Sequence, residues 1–148
     1  PPEWIDYNGH MNVAYYTMAF DNALDEVYAA LGIGENLVRS HRMGPMALQS
    51  QLHYLGELVE GRRFACDFRL LDADAKRTHC FLEMIDLERD TVAATYETLS
   101  LNVDLEGRRS APYPPESAAR IERLFRAHES LPRPAQAGQA IGIRRKRP

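Results

Sequence analysis

Between Val13 and Leu31 the apolar residues recur three or four positions apart, at Val13, Tyr16, Phe20, Leu24, Val27 and Leu31. That spacing lines one face of an α-helix and leaves Asp21, Asp25 and Glu26 on the other. Gly32 and Gly34 follow, as glycines commonly do past a helix end. After a polar connection over residues 35–44 the period changes to two. From Met46 to Tyr54 the even positions are mostly apolar and the odd ones mostly polar, which predicts a strand. Arg62 to Leu71 repeats the alternation, with Phe64, Cys66, Phe68 and Leu70 on one face. A loop of hairpin length over residues 72–76 leads to Arg77–Leu87, where Cys80, Leu82 and Met84 oppose Phe81, Glu83 and Ile85. Thr91 to Val103, rich in Thr, Val, Leu and Tyr, predicts a long fourth strand.

Two further segments complete the pattern. Pro115 to Leu131 predicts a more polar surface helix with a narrow stripe of Ile121, Leu124 and Phe125. From Pro132 the chain turns to Pro, Gln, Ala, Gly and Arg, the composition of a disordered tail. Ahead of the long helix, Pro1 to Ile5 is expected to be extended and Tyr7-Asn8-Gly9 to turn. Strands joined by short turns pair antiparallel, and one such sheet with a long helix on its apolar face is an α+β architecture. The expectation is one domain over residues 1–131 and a disordered tail over residues 132–148. The chain begins at Pro1-Pro2 rather than Met, so an upstream segment carrying a first strand is also expected.

Composition narrows the function classes. A net charge of −3 argues against a general nucleic-acid binder, and the basic run Arg144 to Arg147 reads as a solvated tail. No apolar run reaches membrane-spanning length and no signal peptide is visible, so a cytoplasmic protein is expected. Cys66 and Cys80 sit inside strand-like runs and read as buried free thiols. His and Cys lack metal-ligand spacing, and no G-x-S-x-G elbow, P-loop or dinucleotide fingerprint is present. Neither a metal nor a cofactor is expected.

The chemistry-bearing residues gather just before the long helix, in WIDYNGHMNVAYY. Asp6 suits a nucleophile or general base against a carbonyl; it equally suits a turn-forming acid bonded to nearby backbone N–H groups. Gly9 permits positive φ and close approach of a substrate. His10 either orients Asp6, donates to a carbonyl, or holds the turn. Asn12 reads first as a helix cap. The backbone amides near Asn12 and Val13 are the expected donors to an oxyanion, because a helix N-terminus presents unpaired N–H groups. Among the aromatics, Tyr16 belongs to the apolar stripe. Trp4, Tyr7, Tyr15 and Tyr54 are candidates for a substrate pocket. Glu57, in a Gly-rich turn, reads as solvated, and His79 as a surface or hydrogen-bonded residue.

The run Asp6-Tyr7-Asn8-Gly9-His10-Met11-Asn12, ahead of a long helix and four strands, resembles the hotdog-fold acyl-CoA thioesterases of the 4-hydroxybenzoyl-CoA thioesterase type. Their pattern is Asp, two residues, Gly, often His, then Asn and an aromatic; Asp6, Gly9, His10, Asn12 and Tyr15 fill those places. The likeness covers Pro2 to Asp104. It implies an antiparallel sheet wrapped around a central helix, and hydrolysis of an acyl-CoA with CoA as part of the substrate. It also implies a homodimer or tetramer with the site at the subunit interface. Arg77, with Arg62 and Arg63, becomes a candidate for the CoA phosphates. A closer likeness, in PEWIDYNGHMNVAYY and LLDADAKRTH, is to the thioesterases of carnitine breakdown, which act on betainyl-CoA. A trimethylammonium acyl group would use aromatic faces. The rival readings are a hotdog hydratase or dehydratase and a non-catalytic acyl-CoA binding module.

Overall fold

The computed structural model describes residues 1–143. Helix α1 spans Val13–Leu31, the bounds that the periodicity predicts. Asn12 starts it: its backbone is extended (φ −66°, ψ 144°) and its side-chain oxygen accepts from the Ala14 N–H at 3.0 Å. Gly32, in the left-handed region at φ 73°, stops it, and the Ile33 and Gly34 N–H groups turn back onto the Tyr28 carbonyl.

Four long strands follow: β1 (Met43–Tyr54), β2 (Phe64–Ala73), β3 (Arg77–Asp86) and β4 (Thr91–Asp104). They pair antiparallel in the order β1-β4-β3-β2, and a two-residue strand, β5 (Arg109–Ser110), adds to the end of β4. The α1 stripe of Tyr16, Phe20, Leu24 and Tyr28 packs into one core with Leu70, Cys80, Leu82, Met84, Ala94 and Tyr96 of the sheet. Phe20 stacks on Tyr96 with centroids 5.4 Å apart, and the Tyr28 hydroxyl donates to Ser100 Oγ at 2.8 Å. Phe20 is fully buried, so Phe20→Ala would cost about 3–5 kcal/mol, enough to threaten a domain of ordinary stability.

Several expectations need correction. Pro2–Trp4 is a 3-10 turn rather than an extended segment; proline suits the first turn because its missing N–H would have no partner there. The connection over residues 35–44 contains a helix, α2 (Glu35–His41), too short and polar to show a period. β1 begins at Met43, and its even positions face the core only beyond residue 49, where Leu52 packs against the buried cluster. A bulge between Ala47 and Gln49 shifts the register, so Ser50 points inward to the Tyr96 and Thr98 hydroxyls while Met46 and Leu48 stay exposed. The β2–β3 turn is tighter than residues 72–76, since Asp72 and Ala73 remain paired in β2.

The last helix, α3 (Pro115–His128), ends three residues before Leu131. Beyond it, where composition predicts disorder, residues 132–139 make hydrogen bonds to the sheet, whereas Ile141 and Ile143 are exposed. Arg69 donates to the Pro132 carbonyl, Glu97 accepts from the Gly138 N–H at 2.7 Å, and Gln51 donates to the Gln139 carbonyl at 2.6 Å. Arg144 to Arg147 lie outside the described residues. Cys80 is buried and Cys66 half-buried, both as free thiols. No helix among the described residues is long and apolar enough to cross a membrane.

Candidate active site

The turn ahead of α1 is held by its own backbone. Gly9 N–H donates to the Asp6 carbonyl, Asp6 N–H to the His10 carbonyl, and Ile5 bridges to Met11. Gly9 sits at φ 83°, and a Cβ there would meet nothing within 4 Å. The glycine is therefore required by backbone conformation and not by crowding.

Two longer bonds fix this turn on the fold. Met11 N–H donates to the Leu58 carbonyl at 2.7 Å, and Asn12 N–H to the Trp4 carbonyl at 2.8 Å. Leu58, 2% exposed, also donates its own N–H to the Tyr16 hydroxyl at 3.3 Å. Sequence reasoning missed Leu58 and the Tyr16 hydroxyl as supports, because a partner 42 residues away leaves no local signal. Burial is the main cause that pushes the Tyr16 phenol upward; the bond from Leu58 opposes it.

Asp6 fills its turn-forming role and keeps one oxygen uncommitted among the described residues. Its Oδ1 accepts from the Asn8 N–H at 2.8 Å, which is the turn-forming role. Its Oδ2 has no hydrogen-bond partner among the described residues, and His10 Nδ1 lies 3.9 Å from Oδ1, beyond hydrogen-bond length. The Asp6 side chain is 15% exposed and the His10 side chain 34%. Of the two expected oxyanion donors, Asn12 is spent on Trp4, whereas the Val13 N–H has no acceptor among the described residues. Val13 is 58% exposed despite its place on the apolar stripe.

The aromatics divide. Trp4 and Tyr15 stack beside the turn, and Tyr54 sits edge-on to Tyr16 at 5.3 Å. Tyr7 is 97% exposed. Arg77 is not brought to the turn. It opens β3 at the far end of the sheet, about 23 Å along the strand from Met84, and pairs with Asp74 at 2.5 Å across the β2–β3 turn. Arg62 and Arg63 pair with Glu88. His79 bonds Glu97 at 2.7 Å on the sheet face away from α1. No cluster of metal-ligating side chains occurs among the described residues.

An antiparallel sheet packed on a long helix, with an acid-bearing turn at that helix's N-terminus, defines the hotdog thioesterase class. Residues 1–121 match the family model described as the thioesterase-like superfamily, and the chain belongs to that family. It is thus a thioester hydrolase of the acyl-CoA kind. It is 36% identical to a betainyl-CoA thioesterase of Pseudomonas aeruginosa, over 96% of this chain and 89% of that protein. It is 30% identical, again over 96% of its length, to an L-carnitine dehydrogenase/betainyl-CoA thioesterase of Rhizobium meliloti, covering 28% of that longer protein. A hypothetical protein of Staphylococcus aureus, solved in complex with CoA, superposes with a TM-score of 0.90 at 27% identity, over 96% of this chain and 89% of the other.

Proposed function

We propose that this chain hydrolyses betainyl-CoA to betaine and free CoA, with Asp6 as the reacting carboxylate. The observation that carries the reading is the convergence, on one turn, of an uncommitted Asp6 oxygen, an uncommitted Val13 N–H and the Trp4–Tyr15 aromatic pair. The Pseudomonas and Rhizobium relatives support the choice of acyl group, and the pairing with L-carnitine dehydrogenase supports a place in carnitine breakdown.

Two routes fit Asp6. As general base it takes a proton from water; the hydroxide adds to the thioester carbon and the C–S bond breaks with CoA thiolate leaving. As nucleophile it adds to that carbon itself, expels the thiolate and leaves a mixed anhydride for water to open. In either route negative charge grows on the carbonyl oxygen, and the Val13 N–H at the positive end of α1 is the donor placed to meet it. His10 orients Asp6 or donates to the same oxygen.

The working unit is a homodimer or a dimer of dimers, with the site at a subunit boundary. Among the described residues β1 is a 12-residue strand paired only with β4, and an open edge of that length invites a second strand. Val13 at the start of α1 and Tyr54, Leu55 and Val59 at the end of β1 and beyond are exposed apolar residues, surface that a second protomer would cover.

A thiol-release assay over a panel of acyl-CoAs tests the reading. Betainyl-CoA should exceed its neutral isostere 3,3-dimethylbutyryl-CoA by about tenfold in kcat/KM, the worth of ~1–2 kcal/mol of cation–π attraction. Equal values for the two would remove the betainyl assignment and leave a thioesterase of another acyl group.

A further inference from the structure

The first 38 residues contain six acids (Glu3, Asp6, Asp21, Asp25, Glu26 and Glu35) and no Lys or Arg. With −3 overall, the rest of the chain carries +3. The segment that builds the turn and α1 is thus one-signed, and such a surface favours a cation near it.

A seventh acid is held beside the same turn by the fold. The Leu55 and Gly56 N–H groups both donate to the Ala93 carbonyl, at 2.8 and 2.9 Å. Leu58 is held by the Tyr16 hydroxyl on its N–H and by Met11 on its carbonyl. Glu57 lies between these two anchors, so its backbone is fixed while its side chain is exposed. Since Leu58 pairs with Met11 and Met11 with Ile5, the Glu57 segment runs about 10 Å from Asp6, two strand spacings. Arg62 and Arg63, the nearest guanidinium groups in sequence, are taken by Glu88, and no Lys, Arg or His pairs with Glu57 among the described residues. Its charge reaches the turn's support: burial first, then Tyr54 and Glu57, push the Tyr16 phenol upward.

An acid whose backbone is pinned on both sides, and which no basic side chain neutralises, stands as a counter-charge without a partner. The ammonium of a betainyl group lies one methylene from the thioester carbon, so it must sit between the Asp6 turn and its surroundings. We propose that Glu57 is a specificity-determining residue, the carboxylate that recognises the quaternary ammonium of a cationic acyl group. This rests on the betainyl reading and adds to it a residue outside the catalytic turn. A carboxylate paired with a permanent cation across water-accessible space is worth at most a few-fold, and the aromatic faces supply the rest.

The test is the ratio of kcat/KM for betainyl-CoA to that for 3,3-dimethylbutyryl-CoA, taken within each preparation so that loss of folded protein cancels. Glu57→Gln should lower this ratio about three- to fivefold, chiefly through KM for the cationic substrate, and Glu57→Lys should lower it further. Glu60→Gln, an exposed acid of the same connection, should leave it unchanged. High salt should narrow the difference between wild type and Glu57→Gln. A wild type that prefers the cation and a Glu57→Gln variant that keeps the full preference would overturn the role of Glu57 alone. A wild type with no preference would overturn the betainyl reading, and this inference with it.

Discussion

Trp4 and Tyr15 lie face to face, with ring centroids 5.0 Å apart and planes within 7° of parallel. One ring precedes the acid-bearing turn and the other stands on the first turn of α1, so the stack closes the turn from the side. Asn12 N–H completes that closure on the Trp4 carbonyl. Both rings are half-buried and pack against the core. Trp4→Ala should raise KM for betainyl-CoA about tenfold and raise it less for the neutral isostere. Equal losses for both substrates in steady-state assays would make the pair a packing element only.

Asp6→Asn keeps the acceptor for Asn8 but removes the charge from the free oxygen. The substitution should lower kcat by about 10²–10⁴-fold with little change in KM, because the contribution is made in the transition state. Near-wild-type turnover would reduce Asp6 to its turn-forming bond.

Gly9 and Asn12 should separate conformation from capping. Gly9→Ala places a Cβ at φ 83° and should cost about 1–2 kcal/mol, whereas Gly9→Asn should cost less because Asn tolerates the left-handed region. Asn12→Ala should cost about 1 kcal/mol through loss of the cap on Ala14. Each kcal/mol should appear as a shift of about 2–4 °C in a thermal melt. An undisturbed melt for Gly9→Ala would contradict the turn geometry.

The open edge of β1 predicts self-association. Sedimentation should give at least a dimer, and Leu48→Lys, a charge on the exposed bulge, should weaken it and lower activity together. A monomer with full activity would show that one protomer carries a complete site.

His128 predicts a pH dependence. Its Nδ1 accepts from the Leu70 N–H at 3.0 Å, which requires that nitrogen unprotonated. Burial, then the Arg69 charge, hold its pKa below the ordinary value. Protons are therefore bound more readily by the unfolded chain. The stabilisation is full above about pH 6.5 and is lost as pH falls toward the folded value. Melts at about pH 7.5 and about pH 5.5 should show a larger drop for wild type than for His128→Gln. Equal drops would assign the acid sensitivity to other groups.

The sequence by itself determined what depends on near neighbours. The bounds of α1 follow from a period of 3.6 residues, a capping Asn12 and a stop at Gly32. The turn bond of Asp6, the positive φ of Gly9 and the cap of Asn12 were legible because each is played out within a few positions. Strands β2 and β3 show their inward faces as alternation, Phe64, Cys66, Phe68 and Leu70 on one and Cys80, Leu82 and Met84 on the other, because one face of each packs on the core. The tertiary structure decided the rest. Only pairing with β4 reveals the bulge that reverses the face of β1, since a register shift leaves the composition unchanged. The Met11–Leu58 and Tyr16–Leu58 bonds cross more than forty residues, and Arg77 is carried away from the turn by a hairpin. The Asn12 amide, by local rules a free donor at a helix start, is taken by Trp4. A backbone N–H carries no sequence mark of its partner, so which amide at the helix start stays unpaired is settled by the folded geometry alone.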